Sequence, residues 1–258
     1  MKILREGVDA EKFFRSQQGC RRRLLMLDYD GTLAPFVPDR GRAYPWPGVR
    51  ERLDGLMRDS STILAIVTGR AVQDILSLLD LSPLPEIWGS HGWEHRDATG
   101  GYTPPAPTDE QRNALDALLL ELRSHVHAQH IERKPASIAV HWRGLTPSRQ
   151  ETLAAQLSRN QVSPEAVLAL HPFDGGLEWR IPGRSKGDAV RALLSAHQPC
   201  SAAYLGDDRT DEDAFAALRT HGLCVQVQNN ESDTLADIRL HPPGELLTFL
   251  DQWLAGSV

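Results

Sequence analysis

Leu24-Leu25-Met26-Leu27-Asp28-Tyr29-Asp30-Gly31-Thr32-Leu33 is the stretch that decides the fold. Four apolar residues in a row end abruptly in Asp-Tyr-Asp-Gly-Thr. A short, uninterrupted apolar run reads as a strand buried on both faces, and Asp30-Gly31 is a turn signal. Two carboxylates, two residues apart, therefore sit where a buried strand gives way to a loop. In open α/β sheets, that carboxyl end is where ligands bind. A calcium-binding EF-hand loop would need Glu at its twelfth position and a helix before it. Counting from Asp28 the twelfth residue is Asp39, and a strand precedes the site, so that reading is rejected.

Outward from this stretch the pattern repeats. Gly48 to Met57 reads as a helix with Val49, Leu53 and Leu56 on one face. Thr62-Ile63-Leu64-Ala65-Ile66-Val67 is a second buried strand, ending in Thr68-Gly69-Arg70 and a helix to about Leu79. Strand, small polar turn and helix make the βα unit of a parallel sheet. A third strand includes Glu86-Ile87-Trp88 and ends in Gly89-Ser90-His91-Gly92, with a hairpin around Thr99-Gly100-Gly101. The prolines at 104, 105 and 107 mark a boundary.

The middle of the chain reads differently. A helix from Glu110 to His127 precedes strands at Ile131 to Lys134 and Ser137 to Arg143. A helix from Pro147 to Asn160 precedes strands near Ala166 to His171 and Gly176 to Ile181. This suggests a small α+β layer with one open sheet face. Glu132 and Lys134 share a face of their strand, as do Ser137, His141 and Arg143, and Glu178 goes with Arg180. Trp142 and Trp179 point the other way, toward the helices. The α/β pattern then returns: a helix from Ser185 to Ala196, a strand at Ala202 to Leu205 ending in Gly206-Asp207-Asp208, a helix from Asp211 to Leu218, a strand at Leu223 to Val227 and a closing helix from Glu245 to Leu254. Thr210 with Asp213 resembles a capping box. Residues 1–23 read as a short helix and a turn into the first strand. The expected architecture is α/β: a Rossmann-like parallel-sheet core over 1–106 and 183–258, with an inserted α+β cap over 107–182.

Composition bounds the function. The 258 residues are 41% hydrophobic and 24% charged, ordinary for a globular protein. The net charge of −6 argues against broad binding to nucleic acid or anionic membrane. Arg21-Arg22-Arg23 reads as a solvated strand entrance. No apolar run approaches a membrane span, and none near the start suits a signal peptide. Cys20, Cys200 and Cys224 lack metal-type spacing, and an odd count suits a reducing compartment without disulfides. The expected location is the cytoplasm. His125, His127 and His130 do not share a helix face well and read as solvated or packing residues.

Taken singly, the polar loop residues have ordinary readings: Thr68 as a helix cap, Lys186 as a surface lysine, Asp207 and Asp208 as loop acids. Together they fall where one sheet would place its ligand, and the set suits phosphoryl transfer. Asp28 is a nucleophile able to attack phosphorus. Asp30 lies near enough to protonate a leaving oxygen and then activate water. Thr68 offers a hydroxyl to phosphate, and Lys186 offers positive charge to its equatorial oxygens. Converging carboxylates call for an oxygen-loving cation such as Mg²⁺.

Asp28-Tyr29-Asp30-Gly31-Thr32, Thr68, Lys186 and Gly206-Asp207-Asp208-Arg209-Thr210-Asp211 resemble the four motifs of the haloacid dehalogenase superfamily of phosphatases. A narrower resemblance, to trehalose-6-phosphate phosphatases, rests on Leu27 to Pro35, Gly89-Ser90-His91-Gly92, Lys134-Pro135-Ala136-Ser137-Ile138-Ala139-Val140-His141-Trp142-Arg143 and Gly206 to Phe215. That resemblance implies hydrolysis of trehalose 6-phosphate, within trehalose biosynthesis, through an aspartyl-phosphate. It implies Mg²⁺ held by Asp28, the Asp30 backbone carbonyl and Asp207, with Asp208 and Asp211 behind them. It also implies Glu132, Lys134 and Glu178 reaching sugar hydroxyls, with Arg70, Ser90, His91, His141 and Arg143 as further substrate contacts, and a functional link to a trehalose-phosphate synthase. Thr68 stands where relatives often carry Ser. Other glycosyl phosphates (of sucrose, glucosylglycerol or glycosyl-phosphoglycerate) remain open as substrates, as does a catalytically silent sugar-phosphate-binding module.

Overall fold

The computed structural model describes residues 1–159, 167–173, 175–228 and 233–256. They fall into two compact units, Met1–Thr103 with Ser185–Val258, and Pro104–Arg184. In chain order the first unit begins with β1 (Lys2–Ile3), α1 (Ala10–Ser16), β2 (Arg23–Leu27), α2 (Val49–Arg58), β3 (Thr62–Val67), α3 (Val72–Leu79), β4 (Glu86–Gly89), β5 (Glu94–Arg96) and β6 (Tyr102–Thr103). The second unit holds α4 (Asp109–His125), β7 (Ile131–Lys134), β8 (Ser137–His141), α5 (Pro147–Arg159), β9 (Ala169–Phe173) and β10 (Gly176–Arg180). The first then resumes with α6 (Lys186–His197), β11 (Ser201–Gly206), α7 (Asp211–Leu218), β12 (Leu223–Val227), β13 (Ile238–Leu240) and α8 (Gly244–Ala255).

The large sheet runs β1-β13-β12-β11-β2-β3-β4-β5-β6. Pairing is parallel from β13 through to β4, and antiparallel at the flanks, where β1 joins β13 and β5 and β6 follow β4. The continuous apolar run of β2 follows from its central place. Successive side chains point to opposite faces, and both faces are covered. Leu25 and Leu27 join a core with Val49, Leu53, Ile75, Phe249 and Trp253, from α2, α3 and α8. Leu24 and Met26 join the opposite core with Val190, Leu193, Phe215 and Leu218, from α6 and α7. Each buried leucine contributes about 1.5–3 kcal/mol.

Four expectations need correction. Arg23, expected to be solvated, is fully buried, because its guanidinium finds internal acceptors in Trp253 O at 2.7 Å and Asp59 Oδ2 at 2.5 Å. Residues 1–23 hold β1 as well as a helix: Lys2 and Ile3 pair with Arg239 and Ile238 at the sheet's edge. Thr210 makes no side-chain cap on α7. Its hydroxyl donates instead to Asp208 Oδ1 at 2.6 Å, the nearer acceptor in the preceding turn. Cys20 and Cys200 form a disulfide across 180 residues, leaving Cys224 free and buried. The sheet brings the pair together, because they lie just before neighbouring strands β2 and β11.

In the second unit an antiparallel sheet runs β7-β8-β10-β9. Asn160 and Ala166, expected to end a helix and begin a strand, lie outside the described residues. No helix among the described residues is long and apolar enough to cross a membrane.

Candidate active site

The carboxyl ends of β2, β3, β4 and β11 and the start of α6 carry the expected polar residues of the first unit. At the end of β2, Asp28 still belongs to the ladder, its N–H donating to Leu205 O at 2.8 Å. The chain then closes a tight loop. The N–H groups of Leu33 and Ala34 donate to Tyr29 O at 2.9 and 3.0 Å, and that of Gly31 donates to Ala34 O at 2.8 Å. Gly31 has φ 77°, and a Cβ there would collide with the Asp207 carboxylate. Glycine supplies the left-handed turn and lets two loops touch.

Lys186, only 2% exposed, ties the strand ends together. Its Nζ donates to Asp211 Oδ1 at 2.8 Å and lies 3.0 Å from Asp28 Oδ1. Asp211 also accepts the Tyr204 hydroxyl at 2.6 Å and the N–H groups of Asp207 and Asp208 at 3.0 Å each. Burial pushes the Asp211 carboxyl up to about 6, so these donors hold an anion at neutral pH. Burial also pushes Asp28 and Asp207 well above the usual carboxylate range, and their neighbouring carboxylates add to the rise, although Lys186 opposes it. Burial opposes the charge on Lys186, but Asp211 and Asp28 overrule it and hold the ammonium protonated. Asp208 is pulled down to about 2: desolvation works against this, and Lys186 and the Thr210 hydroxyl prevail.

Asp28, Asp207 and Asp211 each present an oxygen within 4.8 Å of the others, the arrangement among the described residues that could hold a metal ion. Asp211 already accepts four hydrogen bonds, close to the capacity of a carboxylate. It orders the loop, which leaves Asp28 and Asp207 as the side chains best able to ligate. Their hard oxygen donors suit a divalent cation such as Mg²⁺, which would offset the burial and the mutual repulsion that together raise both carboxyls. The Asp30 and Asp208 side chains turn elsewhere, to Arg70 and to Thr210.

Thr68 is fully buried after β3, and its Oγ1 accepts the Arg70 N–H at 3.1 Å. It is not the helix cap, since Ala71 holds that position on α3. Ser90 and His91 follow β4 in left-handed conformations, φ 48° and 55°. Their N–H groups donate to Arg70 O at 2.7 Å and Thr68 O at 3.0 Å, so the two loops are stitched together. Glu94 underpins them. It accepts the Ser90 hydroxyl at 2.5 Å, the Tyr102 hydroxyl at 2.7 Å and the Val72 N–H at 3.3 Å.

In the second unit, strand register puts both polar sets on one face: Glu132 and Glu178 flank Ala139, while Lys134 and Arg180 flank Ser137. The face expected to be open carries buried polar side chains. Glu178 Oε1 accepts Lys134 Nζ at 2.8 Å and the Ser137 hydroxyl at 2.6 Å, and its Oε2 accepts Arg180 Nε at 2.7 Å. His141 Nε2 lies 2.7 Å from Glu132 Oε2. Trp179 is buried and Trp142 half-buried, while Arg143 lies in the turn after β8.

Sequence reasoning passed over Tyr204 and Glu94. Tyr204 carried a signal: a hydroxyl amid the small residues of a buried strand must find a partner. Glu94 carried none, because its partners come from three separate segments.

Comparison with known proteins now adds to this geometry. The profile of the trehalose-phosphatase family matches residues 26–242. "Probable trehalose-phosphate phosphatase J" of Arabidopsis thaliana is 31% identical, with 88% of this chain and 66% of that protein covered. "Probable trehalose-phosphate phosphatase 9" of Oryza sativa subsp. japonica is 29% identical, with 89% and 69% covered. The chain thus spans about two thirds of the length of these relatives. Among solved structures, the C-terminal domain of a trehalose-6-phosphate phosphatase from C. albicans superposes with a TM-score of 0.81 at 22% identity, covering 100% of both chains. An Aspergillus fumigatus trehalose-6-phosphate phosphatase superposes with a TM-score of 0.65 at 23% identity, covering 96% and 98%. Since the family profile runs from within β2, which delivers Asp28, to beyond β13, across both units, this chain belongs to the trehalose-phosphatase family and is a phosphatase.

Proposed function

We propose that this phosphatase hydrolyses trehalose 6-phosphate to trehalose and phosphate, with Asp28 as nucleophile. The observation that carries the reading is Lys186, buried between Asp28 and Asp211, which holds a reactive carboxylate beside a fixed positive charge. An Asp28 oxygen attacks phosphorus, and the bond from phosphorus to the sugar oxygen breaks. Asp30 gives its proton to that leaving oxygen. Water then attacks the aspartyl-phosphate, Asp30 takes a proton from it, and the Asp28 carboxylate is restored as phosphate departs. Lys186 and the Thr68 hydroxyl neutralise and bind the phosphoryl oxygens. Asp28, Asp207 and the Asp30 backbone carbonyl would hold Mg²⁺, which supplies charge neutralisation between two anions.

Substrate choice we assign to the second unit. The names of the relatives support the disaccharide reading, and so do Glu132, Lys134 and Glu178 on one polar face, a mixed donor and acceptor surface suited to sugar hydroxyls. Ser90, His91, His141 and Arg143 belong to the same proposal. The substrate would come from a trehalose-phosphate synthase.

The test is phosphate release from trehalose 6-phosphate, sucrose 6-phosphate, glucosylglycerol phosphate and glucose 6-phosphate, with Mg²⁺ and with chelator. A strong, metal-dependent preference for trehalose 6-phosphate is expected. Preference for another member would overturn the substrate, and no release from any would favour a silent binding module. Asp28→Asn should abolish turnover while circular dichroism stays unchanged; normal turnover in the folded variant would sink the mechanism.

A further inference from the structure

Arg70 resembles a substrate ligand in sequence, yet its guanidinium is committed within the protein. Nε donates to Asp30 Oδ2 at 2.6 Å and one terminal nitrogen donates to Asp30 Oδ1 at 2.7 Å. The other terminal nitrogen donates to Arg40 O at 2.8 Å. The guanidinium carbon lies 5.6 Å from the centre of the Tyr29 ring, and Tyr29 is itself anchored by its hydroxyl to Ala43 O at 2.7 Å. The backbone is held too: the Arg70 N–H is bound by Thr68 Oγ1 at 3.1 Å, and Arg70 O by the Ser90 N–H at 2.7 Å. A bidentate fork fixes both the position and the plane of a carboxylate, which a single-point lysine does not. The Arg70 side chain is 11% exposed and the Asp30 side chain 28%, so the pair is partly sheltered from solvent screening.

We propose that Arg70 is a positioning residue that orients the Asp30 carboxylate for the water-activating half of the reaction. The inference rests on the function proposed above. In that half, the water oxygen forms its bond to phosphorus as the bond from phosphorus to the Asp28 oxygen breaks. The electron pair returns to Asp28, and the water proton passes to Asp30, which delivers it to the leaving oxygen of the next substrate. The fork meets both oxygens of Asp30, which is the geometry of a carboxylate held ready to take the water proton.

The test uses the Mg²⁺-loaded protein with 4-nitrophenyl phosphate and with trehalose 6-phosphate, comparing wild type, Arg70→Lys and Arg70→Gly, each checked for fold by circular dichroism. Rapid acid quench and intact mass measure the phosphorylated chain. The variants should accumulate phosphoenzyme, its hydrolysis slowed by about tenfold or more, with its formation changed by less than about twofold. Millimolar guanidinium should restore hydrolysis in Arg70→Gly. If that variant does not fold, Arg70→Lys carries the test alone. A raised KM for the sugar phosphate without accumulation would make Arg70 a substrate ligand. Equal slowing of both steps would make it scaffold. Either result overturns the proposal and leaves the aspartyl-phosphate mechanism standing. Turnover with no phosphorylated chain at any quench time, in wild type or variants, would remove that mechanism and this proposal with it.

Discussion

Two single atoms make the point at the residue scale. The hydrogen in place of a side chain at Gly31 admits the Asp207 carboxylate and allows φ 77°. Gly31→Ala should therefore cost about 1 kcal/mol or more of stability from the backbone alone, and should cut kcat by displacing Asp207. Urea unfolding and steady-state kinetics check it, and an alanine variant equal to wild type in both would refute the account. The Tyr204 hydroxyl is the second. Burial raises the Asp211 carboxyl to about 6, and the Tyr204 hydroxyl, by donating to it, works against that rise. Tyr204→Phe removes the donor, so Asp211 should protonate at higher pH, and the acid limb of kcat/KM should move upward. An unmoved limb would show that Asp211 does not report on activity. Asp28, Asp207 and Lys186 were legible because each follows or precedes an unmistakable element. The fourfold role of Asp211 was not, because two of its donors are backbone N–H groups that any residue could supply.

At the scale of elements, the legible parts were those under the strongest pattern. β2, β3 and β11 are mostly apolar because helices cover both faces, and such runs have few alternative readings. β1 was illegible: two exposed residues carry no periodicity, and only the distant β13 makes them a strand. In the antiparallel sheet, alternation was readable strand by strand, but only register reveals that Glu178 gathers Lys134, Ser137 and Arg180. That cluster predicts a double effect. Glu178→Ala removes the carboxylate that accepts from Lys134, Ser137 and Arg180 and should destabilise the protein by roughly 3–5 kcal/mol. It should also reduce turnover of trehalose 6-phosphate far more than that of 4-nitrophenyl phosphate. Equal losses on both substrates would remove Glu178 from sugar recognition.

At the scale of the whole molecule, the disulfide is the feature that no local pattern announces, because the sheet, not the sequence, makes Cys20 and Cys200 neighbours. Replacing both by Ser should cost about 2–5 kcal/mol and lower Tm by roughly 5 °C or more. Calorimetry and alkylation mass spectrometry check this, and three alkylatable thiols in the denatured, unreduced protein would refute the pairing. The order of the large sheet reaches further still, into the birth of the chain. β2 lies between β3 and β11, and the cysteines just ahead of β2 and β11 stand 180 residues apart. A ribosome adding about 5–20 residues per second needs roughly ten seconds or more to cover that span. Throughout that interval β2, the strand that delivers Asp28, has one bare edge, and the site around Asp28 lacks both Lys186 and Asp211. The nascent chain is thus catalytically mute and open to wrong strand partners until its last third emerges. A chaperone that shields one strand edge for those seconds is the helper such a topology calls for.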